Sequence, residues 1–524
     1  MPGDVGRWIE FWAARQPDAL AWVDDERRCS WREAADRVAR LADWLQRAGV
    51  GPGERVALWL ANRTAVLEAI FAAARIGAIA LPINARLTPL EVAFQLADAA
   101  PRVLLVERAF RERADQALAA VTTVPPPSRL EVGRGAARAD GRVDACAYEL
   151  ALAASDPAAG PANADPRDPD SPMILMYTSG TTGQPKGALL PHRKTLANCR
   201  NARAGFGTTA RDRVLVVTPL FHSLGLQILA LPALFCGAAV VIQEGFDPVR
   251  AWRAVDQEGI TYLGAVPTAH QRLLDALGPE APASLRFVFT AGAAAPAALL
   301  HAYHRRGVVM LQGYGQTETS MLTCQRPEEA LAKAGSVGRP LPFAELRLVA
   351  PATLDGPVAG WRDVEAGAVG EIVVRGPITM LGYWKRPEAT RETLRGEWVR
   401  TGDLATRDGD FDVTLVGRAR EMYISGGENV YPAEVEAVLE SHPAIAEAAV
   451  VAVADATWGE IGRAHLVPRA GFALDLDALP EWLAPRLARF KQPRSYVVEA
   501  SLPRTASGKV QKHRLADPAP IAPR

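Results

Sequence analysis

The sequence predicts an α/β protein: a large N-terminal domain of βαβ-type sheets, a small β-rich subdomain, and a smaller C-terminal α+β domain. Three observations carry this. Short apolar strands alternate with helical patterns through the first hundred residues and again over 172–311. Beyond Arg339 the strand-like runs move closer together and turns separate them. From Glu434 a fresh helix–strand–helix–strand pattern begins.

Taken in order, 31–48 is an amphipathic helix that Gly49-Val50-Gly51-Pro52-Gly53 stops. Strands at 55–60, 79–82 and 103–106 alternate with helices at 64–76 and 90–99, which implies parallel pairing through crossovers. Ala, Pro, Asp and Gly dominate 122–170, a peripheral connection. Buried-strand patterns return at 172–177, 214–217, 239–242, 286–290 and 308–311. The β-rich stretch contributes 345–349, 371–375 and 414–416. The C-terminal pattern is helix 433–442, strand 448–452, helix 476–486 and strand 496–499.

The 524 residues hold 49% hydrophobic and 23% charged side chains, an ordinary globular composition. Fifty-nine basic residues balance 59 acidic ones, so no net field draws the chain to nucleic acid or an anionic membrane. Cys29, Cys146, Cys199, Cys236 and Cys324 are scattered without a CxxC pair. That excludes a cysteine zinc site and fits a reducing compartment. No basic, then apolar, leader opens the sequence and no uncharged run is long enough to span a bilayer, so a cytoplasmic location is expected.

Chemistry concentrates in Tyr177-Thr178-Ser179-Gly180-Thr181-Thr182-Gly183-Gln184-Pro185-Lys186-Gly187, directly after a predicted strand. Three glycines let the backbone turn N–H groups inward, and four hydroxyls with one lysine add donors for phosphate oxygens. Lys186 is followed by Gly187, so this is not a Walker loop. Four further blocks follow: Gly313-Tyr314-Gly315-Gln316-Thr317-Glu318, Thr401-Gly402-Asp403-Leu404, Gly417-Arg418-Ala419-Arg420-Glu421-Met422, and Pro503-Arg504-Thr505-Ala506-Ser507-Gly508-Lys509. Singly, Asp403 reads as a turn residue and Lys509 as a solvated one.

Together, and in this order, the blocks closely resemble the adenylate-forming superfamily of acyl-CoA synthetases and adenylation domains, over essentially the whole chain. The resemblance implies domains 1–419 and 420–524, the second mobile about a hinge at Arg420. It implies an ATP site of Thr178, Ser179, Gly180, Thr181, Thr182, Gly183, Lys186, Gly313, Tyr314, Gly315, Thr317, Asp403 and Arg418. Tyr314 would pack on adenine, Thr317 hold the α-phosphate, Asp403 and Arg418 the ribose. Glu318 and Thr181 would hold Mg²⁺, and Lys509 with His222, Thr317 and Glu318 would be catalytic. Ser425, Gly426 and Gly427 would line the path of the CoA thiol, where only glycine permits close approach.

The block Pro219-Leu220-Phe221-His222 places His222 at the mouth of an acyl pocket of Phe221, His222, Ala265, Ala291, Gly292, Gly313 and Met321 by the same resemblance. Residues 221–226 hold no carboxylate to pair with an ammonium, so an amino acid is not the expected substrate. Residues 265–268, 291–295 and 313–321 supply no cation for a second carboxylate, so a fatty or aryl acid is expected. The proline of the usual GGAP loop is shifted by one, to Pro296. The other seven histidines show no metal-ligand spacing and read as surface residues.

The expected activity is an AMP-forming acid–CoA ligase using ATP, Mg²⁺, CoA and a small carboxylic acid. No nucleic-acid partner and no integral membrane association are expected; a homodimer is compatible. Two alternatives stay open: an acyl-AMP ligase serving a carrier protein, and a non-catalytic nucleotide or acyl-CoA binding protein. Intact Glu318, Asp403, Arg418 and Lys509 count against the second.

Overall fold

The computed structural model describes residues 2–133, 146–158, 168–178, 185–293, 295–419, 421–425, 428–455, 458–487, 489–505 and 508–515. The chain divides into two compact units, Met1–Leu346 with Val374–Val399, and Arg347–Val373 with Arg400–Arg524.

The first unit is built on two sheets. One runs in the order Arg339–Pro340, Ser320–Cys324, Met310–Gln316, Phe287–Thr290, Tyr262–Ala265, Arg213–Val216, Ala239–Ile242, Leu20–Val23, Arg28–Ser30. Its six strands from Met310–Gln316 to Leu20–Val23 are parallel, and its flanking strands are antiparallel. The second runs Gly382–Tyr383, Lys186–Pro191, Pro172–Thr178, Ile79–Pro82, Arg55–Trp59, Val103–Glu107, Ser128–Val132. Helices such as Thr64–Ile76 fill the spaces between strands; twelve of its thirteen residues are buried, which is why its sequence is apolar all round.

Glu68 interrupts that helix for a reason the helix alone does not show. It is fully buried and receives both sides of the Arg37 guanidinium, Nε to Oε1 at 2.8 Å and Nη2 to Oε2 at 3.0 Å. Tyr148 donates its hydroxyl to Glu68 at 2.6 Å, and Arg37 also pairs with Glu149 at 2.8 Å. Tyr148 and Glu149 lie on Ala147–Ala153, inside the stretch expected to be a peripheral connection. The network therefore ties that helix to the core.

The second unit carries a sheet ordered Glu428–Val430, Tyr423–Ser425, Gly459–Pro468, Ile445–Asp455, with Ser495–Val498 parallel to Gly459–Pro468. Helix Pro432–Glu440 packs on it through Val435 and Leu439. The expected 476–486 helix is shorter, Leu479–Leu483, and the long strand Gly459–Pro468 was not legible as one. Among the described residues no helix is long and apolar enough to cross a membrane.

Candidate active site

Open parallel sheets bind ligands beyond the carboxyl ends of their strands. Four neighbouring strands of the large sheet deliver the expected acyl-pocket residues there. Arg213–Val216 runs on to Phe221 and His222, Tyr262–Ala265 ends on Ala265, Phe287–Thr290 leads to Ala291 and Gly292, and Met310–Gln316 carries Gly313. Asn62 shapes the first approach: its amide donates to Thr218 O at 2.9 Å and accepts from Leu220 N at 2.8 Å. The His222 ring lies 4.6 Å from that of Phe221, and His222 O accepts from Leu226 N at 3.1 Å, opening the π-helical turn Leu224–Ala230. Ala265 is fully buried, and Gly292 has φ +88°, a conformation that suits glycine.

Met310–Gln316 and Ser320–Cys324 form a hairpin in which Gln316 pairs with Ser320, leaving Thr317, Glu318 and Thr319 as the turn. Glycine at 315 is obligatory, because a Cβ there would sit 1.7 Å from Ser320 O. A Cβ at 313 would meet the Phe289 ring at 2.8 Å. Tyr314 is buried between them, 7% exposed. Glu318 is half-buried; Tyr383 donates its hydroxyl to Glu318 Oε1 at 2.7 Å, and Met380 N donates to Glu318 O at 2.9 Å. The Lys186 ammonium lies 5.5 Å from the centre of the Tyr383 ring, so one tyrosine stands beside Lys186 and bonds the turn carboxylate.

Thr178 and Lys186 face each other at the ends of antiparallel strands Pro172–Thr178 and Lys186–Pro191. Ser179, Gly180, Thr181, Thr182 and Gly183 of the loop between them lie outside the described residues.

Residues 313–321 themselves supply no cation, but one from a distant helix packs beside them. Lys194, one turn into helix His192–Phe206, is fully buried and donates to Ser320 Oγ. Burial pushes its pKa down to about 7, against the pull of Glu318. Three of the histidines read as surface residues are buried: His192, His270 and His465. His270 is fully buried, its Nε2–H donating to Phe289 O at 2.8 Å; burial pushes its pKa down to about 4, so the ring is neutral. Lys194, Asn62 and Tyr383 escaped sequence reasoning because their partners are distant in sequence.

In the second unit Asp403 sits within strand Trp398–Arg407, not in a turn. It pairs across to Arg418 on Val413–Arg418, Nε to Oδ1 at 2.9 Å, with Asp403 buried and Arg418 exposed. Gly402 precedes it at φ +69°. Ser425 is buried and pairs with Gly459; Gly426, Gly427 and Arg420 lie outside the described residues. Lys509 is exposed at the end of a small loop that closes on itself: Thr505 N donates to Lys509 O at 2.8 Å, and Lys509 N to Thr505 Oγ1 at 3.1 Å.

Magnesium fits the turn by donor chemistry. Glu318 is a hard carboxylate engaged by Tyr383 through Oε1, and no group of three or more His, Cys, Asp or Glu stands ready for a metal among the described residues. One carboxylate suits an ion that keeps waters and arrives with phosphates, as Mg²⁺ does, better than an all-protein cage.

Comparison with known proteins agrees with this arrangement. The sequence profile of the family described as AMP-binding enzyme matches residues 9–384, and that of the AMP-binding enzyme C-terminal domain matches 434–509. A feruloyl-CoA synthase of Amycolatopsis is 39% identical over 518 residues, 97% of each chain. An indoleacetate–CoA ligase of Aromatoleum aromaticum is 39% identical over 523 residues, again 97% of each. The O-succinylbenzoate coenzyme A synthetase of Bacillus subtilis, solved in complex with ATP and a magnesium ion, superposes with a TM-score of 0.83 at 29% identity, covering 98% of this chain and 99% of that one. The chain belongs to the AMP-binding enzyme family, across both its main and its C-terminal domain, and groups there with the acid–CoA ligases.

Proposed function

We propose that the protein activates a fatty or aryl carboxylic acid with ATP and transfers the acyl group to CoA, an aryl acid being favoured. The observation that carries the reading is the hairpin turn Thr317–Glu318–Thr319, set on a strand of the sheet whose next three parallel strands lead to Ala291, Ala265 and His222. On this reading the turn and the acyl-pocket residues share one sheet, and the phosphate loop comes from the second sheet, between Pro172–Thr178 and Lys186–Pro191. The small side chains at 264, 265, 291 and 292 suit a flat ring, and the relatives named for ferulate and indoleacetate act on aryl acids.

In the first step a carboxylate oxygen of the acid attacks the ATP α-phosphorus, and the bond to the bridging oxygen breaks, releasing pyrophosphate. Tyr314 packs on the base, and Asp403 with Arg418 holds the ribose. Lys186, Thr178 and the hydroxyls of 179–183 hold the phosphates. Lys509 stabilises charge between the carboxylate and the α-phosphate while Thr317 orients the latter. Bound Mg²⁺, held by Glu318 and Thr181, would neutralise phosphate charge. In the second step the CoA sulfur attacks the acyl carbonyl, the thiol proton leaves, and the C–O bond to AMP breaks. Ser425, Gly426 and Gly427 line the thiol's path.

Two faces of the small domain must serve these steps in turn, and the family resemblance puts the hinge for that change at Arg420, between domains 1–419 and 420–524. Arg420→Pro fixes φ there; acyl-AMP formation is expected to persist while thioester formation falls at least ~10-fold. Equal half-reaction rates in variant and wild type would remove Arg420 from the hinge. A cytoplasmic location and a homodimeric assembly accompany this reading as proposals.

Glu318→Gln tests the metal assignment. Removing the stronger oxygen ligand should raise the Mg²⁺ concentration needed for half-maximal adenylation ~10-fold or more without unfolding the protein. An unchanged Mg²⁺ titration of ATP–pyrophosphate exchange would contradict the assignment.

A further inference from the structure

Ser320 is the one buried residue among the described non-glycine residues with positive φ; at +53° it is also the last position of the Thr317–Glu318 hairpin. The other three, Ala100, Lys385 and Phe411, are half-buried or exposed. Thr319 N donates to Gln316 O at 3.2 Å, so the turn is a type-I-like reversal followed by a left-handed residue. Glycine is the usual occupant of that left-handed position, because a Cβ there costs on the order of 1 kcal/mol. A serine kept in its place supplies what glycine lacks, a side chain.

That side chain meets Lys194, a lysine with no exposed surface, whose hydrogen-bond partner among the described residues is Ser320 Oγ. A buried ammonium is expensive, and a methionine would fill the same volume at less cost. The rest of the same helix face grips the residue after Ser320. Asn198 Oδ1 accepts from Met321 N at 3.2 Å, and Asn201 Nδ2 donates to Met321 O at 3.0 Å. From the neighbouring Arg193, Nη1 donates to Pro377 O and Thr379 O, both at 2.9 Å, beside Met380, whose N–H holds Glu318 O. Helix His192–Phe206 thus holds the residues that follow the turn and, through Arg193, the segment whose Met380 bonds Glu318 O.

We propose that Lys194 is a positioning residue: through Ser320 it fixes the Thr317–Glu318 turn in the geometry that receives magnesium and the α-phosphate. The inference rests on the proposed role of Glu318.

The test uses the full-length protein with Mg²⁺ and ATP as probes. Lys194→Met and Ser320→Gly, the second keeping the left-handed backbone while deleting the anchor, are each expected to raise half-saturating Mg²⁺ at least ~5-fold. Calorimetric titration should show the Mg²⁺-dependent gain in ATP affinity shrinking in the same proportion. In a Glu318→Gln background either change should add less than ~2-fold, because the turn has no carboxylate left to place. A merely structural lysine would leave the Mg²⁺ dependence within ~2-fold, or act independently of Glu318; either result overturns the proposal. Should Lys194→Met fail to fold, Ser320→Gly decides alone. If Glu318→Gln itself leaves the Mg²⁺ titration unchanged, the role of Glu318 fails first, and this inference with it.

Discussion

Lys509→Ala is expected to slow acyl-AMP formation by ~10²–10³, about 3–4 kcal/mol of barrier, while thioester formation from supplied acyl-AMP stays within a few-fold of wild type. The magnitude is that of removing one positioned donor from a developing charge. Negative charge moves from the carboxylate onto the phosphate oxygens in the first step alone, so the loss should be confined to it. The surroundings of Lys509 support a side chain that can be truncated without collapse. It is exposed, and its loop is closed by backbone bonds between Thr505 and Lys509, by Gly508 at φ +88°, and by Arg504 Nη1 donating to Gly508 O at 2.6 Å. Arg504 is itself held by Glu447 at 2.6 Å. Rapid-quench measurement of the two half-reactions checks this; equal losses in both would contradict the assigned role.

Arg37→Met is expected to destabilise the first unit by about 3–5 kcal/mol without touching the site. Glu68 is fully buried and, among the described residues, would keep the Tyr148 hydroxyl alone against its charge. The cost is that of an uncompensated carboxylate rather than the worth of the ion pair, so the variant Arg37→Met/Glu68→Met should regain most of the stability. Urea unfolding followed through the buried Trp31, on the helix of Arg37, reads both variants. A single variant as stable as wild type, or a double variant weaker than the single, would contradict the argument.

Much of the fold was legible because periodicity and turn residues agree locally. Helix Thr64–Ile76 and strands Ile79–Pro82, Ala239–Ile242 and Glu345–Val349 fall where the pattern puts them. Strand Trp398–Arg407 was not legible, because Thr401-Gly402-Asp403 looks like a turn until its pairing with Val413–Arg418 is known. The weak pattern of 122–170, rich in Ala, Pro, Asp and Gly, also hid a core helix. Tyr148 and Leu152 are core residues, but only two buried positions in seven make a weak signal. At the candidate site, the glycine and hydroxyl blocks stood out since phosphate chemistry demands them in a contiguous stretch. Lys194 did not, because a lysine early in a helix ordinarily faces solvent; its buried partner, Ser320, is 126 residues away.

The central claim is that one site adenylates an acid and then hands the acyl group to CoA. Acid-dependent pyrophosphate release, followed with and without CoA over straight-chain and cinnamate-type acids, tests it most directly. The expected result is pyrophosphate only when acid, ATP and Mg²⁺ are all present, with CoA converting the bound acyl-AMP into thioester and AMP in equal amounts. Pyrophosphate release with no thioester in the presence of CoA would point to a carrier protein as the acceptor, and no release with any acid would contradict the account outright.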